Sequence, residues 1–161
     1  MRVIGIDPGF DRTGIGIIDC AGSRLTWVYH GCVQTKAGDP FVLRLQQTRD
    51  GIKEALIQFK PDAAVVEQLF FQNNAKTAMN VGMARGVAML TLADANLVLV
   101  ELTPNQVKQG ITGWGAADKK QVQEMVKRLL NLKDIPRPDD AADALAIAIA
   151  GSGMVRLAAT K

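Results

Sequence analysis

Four acidic residues stand at positions from which their side chains could act together. Asp7 closes an apolar run near the start of the chain, and Glu67 closes a second run, residues 63–66. Asp140 and Asp143 lie three residues apart at the start of an alanine-rich segment. A spacing of three on a helix places both side chains on one face. If the first and fourth strands are neighbours, acids from three separate segments could converge.

Such a cluster of carboxylates is suited to hard divalent cations. Close carboxylates repel one another and raise one another's pKa unless cations share the site. Oxygen ligands favour magnesium or manganese, and the sequence has no Cys or His cluster for a softer metal. Two such ions, about 3.5 to 4 Å apart, can activate a water and stabilise the leaving oxygen in phosphodiester cleavage. The alternative is that the acids are ordinary exposed groups, since Asp139 and Asp140 suit the positive end of a helix.

The first part of the chain predicts an antiparallel meander of three strands. An apolar run over residues 2–7 precedes a Pro-Gly turn, and two alternating runs, residues 13–19 and 24–33, follow. A tight turn at Gly22-Ser23 joins those two runs.

The register of this meander separates the two cysteines. Cys20 should pair near Leu25 and Cys32 near Thr13, which puts the thiols roughly 20 Å apart and predicts two reduced cysteines. His30, the only histidine, falls in mid-strand and is a poor candidate base. The serines and cysteines lack a nearby His or Asp pattern for a nucleophilic triad.

The remainder of the chain alternates helices with strands. Apolar positions repeat at helical spacing from Phe41 and stop before Pro61, and Thr103-Pro104 and Asp118 begin later helices. The predicted elements are a helix over 41–59, a strand over 63–66, a helix over 74–93, a strand over 97–102, two capped helices, and a last helix over 139–150. This order predicts an α/β fold with a mixed five-stranded sheet, a three-strand antiparallel meander plus two parallel strands, and helices on both faces.

Length and composition fit one folded domain. The 161 residues are 48% hydrophobic and 22% charged, which is typical of a globular protein. We expect a domain over residues 1–152 and a short C-terminal tail over 153–161. The net charge of +3 is compatible with a polyanionic partner but is weak evidence. Because the start lacks a signal-peptide pattern and the most apolar stretch, residues 86–100, contains an acid, we expect no membrane segment and a cytoplasmic protein.

Five sequence blocks, taken in order, closely resemble the RuvC family of Holliday-junction resolvases over nearly the whole chain. They are GIDPGFDRTGIGII, EQLFFQNNAKTA, ARGVA, VKQGITGWGAADKKQVQ and DAADALAIAIA. A DxG followed by TG is shared with the phosphate-binding hairpins of sugar kinases and actin-like ATPases, so the five ordered blocks carry the resemblance. The resemblance implies an RNase H-like fold.

The resemblance also implies an activity, a cofactor and partners. It implies a homodimeric endonuclease that nicks two strands of a four-way DNA junction symmetrically, in DNA recombination and repair, together with the RuvA and RuvB branch-migration complex. The products would carry a 5′-phosphate and a 3′-hydroxyl. Mg²⁺, two ions per active site with Mn²⁺ as a substitute, would be held by Asp7, Glu67, Asp140 and Asp143.

The resemblance further implies residues that contact DNA. Lys108 and Lys119 would lie near the cut phosphate, where a cation offsets charge in the transition state, and Lys119 counts as a catalytic residue. Phe70 or Phe71 would stack on bases at the junction centre. The alternatives are solvated lysines and a phenylalanine that covers the core. The candidate DNA-binding residues are Phe70, Phe71, Lys76, Lys108, Lys119 and Lys120.

A strip of small residues marks the helix after this aromatic loop. Ala78, Gly82 and Gly86 recur every four residues, so another helix could approach closely. Glycine within a helix costs about 1 kcal/mol relative to alanine, which suggests a packing reason. The resemblance places the two-fold dimer contact here, and packing against the chain's own sheet is the alternative.

Two other function classes are open on the sequence. One is a fragment of an actin-like or sugar-kinase ATPase, although the chain is too short for the second lobe that such proteins need. The other is a junction-binding protein without catalysis, which would require the loss of one of the four acids. ATP hydrolysis without DNA would identify the first, and tight junction binding without product in magnesium would identify the second.

Overall fold

The computed structural model describes residues 1–69 and 75–158, and within them ten regular elements. The strands are β1 (Arg2–Asp7), β2 (Arg12–Ala21), β3 (Arg24–Gln34), β4 (Ala63–Glu67) and β5 (Val98–Leu102). The helices are α1 (Phe41–Phe59), α2 (Ala75–Asp94), α3 (Pro104–Thr112), α4 (Lys119–Leu129) and α5 (Asp139–Ala158).

The strands form one mixed sheet in the order β3-β2-β1-β4-β5. β2 runs antiparallel to β1 and β3, whereas β4 runs parallel to β1 and β5. The first and fourth strands are therefore neighbours, in a register that pairs Ile6 with Val66. Since both strands continue by one residue, Asp7 and Glu67 leave the sheet at the same edge. The predicted α/β fold is confirmed.

Apolar side chains cover both faces of the sheet. On one face, β1 and β4 pack with Val107 of α3, Val122 of α4 and Leu145 of α5. On the other face, they pack with Ile52 of α1 and Leu92 of α2. Burial on both sides explains why β1 and β4 are continuous apolar runs rather than alternating ones.

β2 is three residues longer than predicted and β3 is one residue longer, with the predicted turn between them. Gly22 adopts a positive φ of 62° in the turn, a conformation that glycine accepts without strain. Cys20 pairs with Leu25 as expected, whereas Cys32 pairs with Gly14, one position from the predicted partner. Both cysteines are free thiols.

Helix α5 sits unusually close to the sheet because glycine and alanine line the contact. A Cβ added at Gly14 would lie 2.0 Å from the carbonyl oxygen of Asp140, and one at Gly16 would lie 2.4 Å from the backbone nitrogen of Leu145. Backbone therefore touches backbone over the first turns of α5. This contact fixes the helix start, from which Asp140 and Asp143 project.

The length of α5 corrects the sequence prediction. The helix was predicted to end at residue 150, with a tail over 153–161, but it continues to Ala158, and Val155 is fully buried. Gly151 does not end the helix because it packs tightly against a β4 side chain. The described part of the predicted tail is thus helix.

Among the described residues, α5 is the helix whose length and composition would suffice to cross a membrane. It lies in the core of the domain between the sheet, α3 and α4. Its apolar character therefore has a structural explanation within the domain.

Helix α2 packs on the sheet with one side only. Ala84, Ala88 and Leu92 are fully buried, and Ala88 and Leu92 pack with residues of β1 and β4. Gly86 lies on the opposite side, and a Cβ there would meet nothing within 4 Å. The alternative that this glycine serves packing against the chain's own sheet is therefore wrong.

Candidate active site

A pocket of about 240 Å³ opens at the edge where β1 and β4 end. Five separate elements line it with charged side chains, and apolar side chains form its walls. Its residues are Asp7, Glu67, Pro104, Val107, Lys108, Lys119, Val122, Asp143 and Ala146. The structure therefore brings together three of the four predicted acids and two of the predicted lysines.

The neighbouring elements hold the ends of the strands in place. The backbone of β4 continues past Glu67, since the amide of Gln68 donates to the carbonyl of Leu102 at 2.7 Å. From α2, Arg85 Nε donates to the carbonyl oxygen of Glu67 at 3.2 Å, and its guanidinium also pairs with Glu101 on β5. Glu67 thus projects from a strand end that is anchored on two sides.

Burial and mutual repulsion raise the pKa of two of these acids. Desolvation is the main cause that raises the pKa of Asp7 to about 7, and acidic neighbours add to it. Those neighbours are Glu67, Asp143 and Asp140 in decreasing order, and Lys119 opposes them. Burial, followed by the charge of Asp143, likewise raises the pKa of Glu67 to about 7, against the opposing charge of Lys108.

Lys119 supplies positive charge to the pocket. A reciprocal capping box between Asp118 and Gln121 starts α4, so Lys119 is the first residue of that helix. Its Nζ lies 2.9 Å from Oδ2 of Asp143 and 3.6 Å from Oδ2 of Asp139. Burial nevertheless keeps the pKa of Asp143 above its ordinary value.

Asp140 stands beside the pocket rather than in its lining. Arg12, at the start of β2, places Nη1 3.7 Å from Oδ2 of Asp140. The charge of Asp140 still contributes to the raised pKa of Asp7 and of Asp143, so it belongs to the same electrostatic cluster. The sequence analysis missed Arg12, because nothing in its type or spacing distinguishes it from other arginines near a strand end.

The donor chemistry of the pocket fits a hard divalent cation. Its charged acceptors are carboxylates only, and the raised pKa values of Asp7 and Glu67 show that positive charge is in short supply there. Over residues 1–69 and 75–158, no three His, Cys, Asp or Glu side chains form a ready coordination shell. Instead, Asp143 pairs with Lys119 and Asp140 pairs with Arg12.

Of the other predicted site residues, Lys120 does not line this pocket. Lys120 lines a separate groove together with residues of α4 such as Glu124 and Arg128. Lys76 belongs to the first turn of α2. Phe70 and Phe71 fall outside the described residues. His30 accepts a hydrogen bond from Nε1 of Trp27 at 2.9 Å on an exposed part of β3, which agrees with its exclusion as a base.

The sheet order, with acids at the ends of the two central parallel strands and at the start of the last helix, defines the RNase H-like class of nucleases. Comparison with known proteins narrows this class. The chain belongs to the RuvC family, since the family model described as crossover junction endodeoxyribonuclease RuvC matches residues 3–151.

Curated relatives and solved structures agree with this membership. The crossover junction endodeoxyribonuclease RuvC of Brevibacillus brevis is 51% identical over 149 residues, which cover 92% of this chain and 90% of that protein. The protein of the same name from Thermotoga petrophila is 49% identical over 148 residues, which cover 92% and 90%. Thermus thermophilus RuvC in complex with a Holliday junction substrate is 34% identical, with a TM-score of 0.91 and coverage of 98% and 96%. Neither alternative function class is favoured by these similarities.

Proposed function

We propose that this protein is a Holliday-junction resolvase that hydrolyses one phosphodiester bond in each of two strands with the help of Mg²⁺. The observation that carries the proposal is the single pocket in which burial and mutual repulsion raise the pKa of Asp7 and of Glu67 to about 7 beside two lysines. The likeness to Thermus thermophilus RuvC in its junction complex supports the substrate.

The metal ions would be held by Asp7, Glu67, Asp143 and, after release from Arg12, Asp140. When bound, such ions activate a water and stabilise the leaving 3′-oxygen, which gives a 5′-phosphate and a 3′-hydroxyl. The protein supplies a water-excluding wall of apolar side chains, of which Val107 is one. Lys108 and Lys119, which face the same space, would bind the phosphate to be cut and offset its developing charge.

The decisive experiment is cleavage of a labelled synthetic four-way junction in Mg²⁺ and in EDTA. We expect paired nicks in Mg²⁺ and none in EDTA. Asp7→Asn and Glu67→Gln should lower the cleavage rate by more than about 100-fold, because loss of an outer partner of a ligand alone costs 10- to 100-fold. Binding of the junction in EDTA should stay within about twofold.

Glu54→Gln is the matched control for Glu67→Gln, since Glu54 is an exposed glutamate on α1 away from the pocket. It should cleave like the wild type. Cleavage in EDTA, or full activity of Glu67→Gln, would contradict the proposed metal chemistry. Equal loss of binding and cleavage in both pocket variants would contradict the separation of ligand and binding roles.

We propose that the protein works as a two-fold dimer through the outer side of α2. Met79, Met83 and Leu90 expose large apolar side chains there, beside the open position at Gly86. Exposed apolar patches of this kind mark interaction surfaces. A two-fold dimer would present two equivalent pockets to the two equivalent strands of a junction.

We propose further contacts with DNA outside the pocket. Phe70 or Phe71 would stack on unpaired bases, and Lys76 and Lys120 would contact backbone phosphates. Alanine variants of the lysines should reduce the salt dependence of junction binding by about one unit of log-log slope each, as expected for one lost phosphate contact. Loss of stacking should appear as reduced quenching of 2-aminopurine placed at the junction centre.

We also propose cytoplasmic action together with RuvA and RuvB, as the family resemblance implies. Co-sedimentation of the protein with a purified RuvA–RuvB–junction complex would test the partnership. Cell fractionation with an antibody against the protein would test the location.

A further inference from the structure

The link between β1 and β2, residues 8–11, connects two sides of the pocket. It begins directly after Asp7, which lines the pocket, and ends directly before Arg12, which pairs with Asp140. Any shift of this link would therefore move one acid directly and the partner of another. The residues that hold the link in place therefore also affect the positions of Asp7 and Asp140.

Arg44 of α1 contacts the link through its guanidinium group. Its side chain is only 11% exposed. Nε donates to Oγ1 of Thr35 at 2.8 Å, and Nη2 donates to the carbonyl oxygen of Phe10 at 3.4 Å and to the carboxylate of Asp11. The guanidinium also lies 3.9 Å from the centroid of the Phe10 ring, within the range of a cation–π contact.

Thr35 extends the reach of Arg44 along the link. Its Oγ1 accepts from Arg44 and donates to the carbonyl oxygen of Phe10 at 2.9 Å. Its backbone amide donates to the carbonyl of Asp11 at 2.9 Å. With Thr13 Oγ1 donating to the carbonyl of Gly9 at 2.9 Å, three successive carbonyl groups of the link are satisfied by fixed donors.

Apart from Thr35, the polar contacts of the Arg44 side chain all go to the link. An arginine that served only to join α1 to the sheet would contact the core strands, whereas this one contacts the segment next to the pocket. Its planar fork of donors can make the bonds to Thr35, Phe10 and Asp11 together, which the point charge of a lysine cannot.

We infer that Arg44 is a positioning residue of the active site: acting through residues 8–11, it fixes Asp7 and, through Arg12, Asp140. It does not line the pocket itself. The inference rests on the proposed metal-dependent function. It adds to the active site a residue of α1, which lies on the face of the sheet opposite to α5.

The test compares Arg44→Gln and Arg44→Lys with the wild type and with Arg49→Gln, a control that removes an exposed arginine of α1 paired with Asp50. Binding of Mn²⁺ without DNA is measured by titration calorimetry, together with cleavage at saturating Mg²⁺ and thermal unfolding. Both Arg44 variants should bind Mn²⁺ about tenfold more weakly, the lower end of what loss of a supporting contact costs. Junction binding in EDTA should not change, and Arg49→Gln should match the wild type throughout.

A milder variant covers the case in which Arg44→Gln does not fold. Asp11→Ala removes one partner of Arg44 and alters a side chain that is 82% exposed, so it should fold. It should weaken Mn²⁺ binding by a smaller factor, whereas Asp50→Ala, its matched control, should have no effect.

Folded Arg44 and Asp11 variants with wild-type Mn²⁺ affinity and cleavage would overturn the inference, even if their melting temperatures fall, because the role would then be stability alone. A wild-type protein that neither binds Mn²⁺ nor cleaves junctions would instead refute the proposed function. The two failures are therefore distinguishable.

Discussion

Helices α2 and α5 have the same length and a similar content of small and apolar residues, yet the fold uses them in opposite ways. Each has 20 residues. α5 turns its small residues inward, so that Gly14 and Gly16 of the sheet touch its backbone. α2 turns Gly86 outward, among exposed methionine and leucine side chains.

The difference shows that small residues serve two purposes in this protein. On α5 they remove the space between helix and sheet, which fixes the acids at the helix start relative to β1 and β4. On α2 they leave a surface that this chain does not cover within its described residues. Position relative to the sheet, rather than composition, distinguishes the helix that carries two of the acids from the helix whose outer side is exposed.

The largest effect should come from enlarging the contact beneath α5. In Gly16→Ala the new Cβ would lie 2.4 Å from the backbone nitrogen of Leu145, which cannot move without displacing α5. We expect a loss of more than about 4 kcal/mol in the free energy of unfolding, measured by denaturant titration. Gly86→Ala on α2, where space is open, should fold like the wild type. Equal stability of the two variants would contradict the contrast between the helices.

The next largest effect should come from a charge on the outer side of α2. Met83→Glu should raise the dimer dissociation constant about 100-fold, as expected for a central interface residue, while circular dichroism stays unchanged. Met154→Glu on α5 is the matched control, since both methionines are 45% exposed. Sedimentation velocity measures the outcome, and the monomer should nick one strand rather than both. If the dimer survives Met83→Glu but dissociates in Met154→Glu, then the interface lies on α5 and not on α2.

The pH dependence of stability tests how firmly α5 holds its acids beside Asp7. The pKa of Asp7 is raised from 3.8 to about 7, so the folded protein binds more protons than the unfolded chain between these values. The free energy of unfolding without metal should therefore fall as the pH rises from about 4 to about 7 and then level off. Asp7→Asn should make this profile shallower, leaving the part due to Glu67, and should stabilise the metal-free protein at pH 8. The measurement is chemical denaturation in EDTA. If Asp7→Asn and the wild type give the same pH profile, then α5 moves its acids away from Asp7 when these groups are ionised.

The smallest effect should appear within α5 itself. Gly153 faces open space, so Gly153→Ala should raise the free energy of unfolding by about 0.5 to 1 kcal/mol through helix propensity alone. Gly151→Ala, two residues earlier, would place its Cβ 2.5 Å from the methyl groups of Val65 and should be destabilising. If thermal unfolding shows that both substitutions stabilise the protein, or that both destabilise it, then the two sides of α5 are not packed differently.

The sequence predicted the elements because they depend on local patterns. The meeting of the distant acids was predicted only on the condition that β1 and β4 are neighbours, which the strand order confirms. The apolar runs that end at Asp7 and Glu67 indicated buried strands, and the helical spacing placed Asp140 and Asp143 on one face. The RuvC resemblance then assigned all four acids to the metal ions. The end of α5 was missed since Gly151 and Gly153 resemble stop signals, and only the burial of Val155 shows why the helix continues.

The support of the site could not be predicted, because it depends on contacts between segments far apart in the chain. Arg44 lies 34 residues from Phe10, and no periodicity connects the two. The pairing of Arg12 with Asp140 crosses most of the chain, and it leaves that acid outside the lining of the pocket. Such pairings follow from the strand order and the docking of the helices, which local patterns do not encode.

The close packing of α5 on the sheet limits which substitutions this protein can accept during evolution. A bulky replacement in a packed core can often be rescued by a smaller neighbour, but at Gly14 and Gly16 the opposing atoms belong to the main chain of α5, which no substitution can trim. Within the part of the chain that the structure describes, no neighbour of these two positions could compensate for a larger side chain. We therefore expect related proteins to vary at the residues around this contact but to keep glycine at positions 14 and 16.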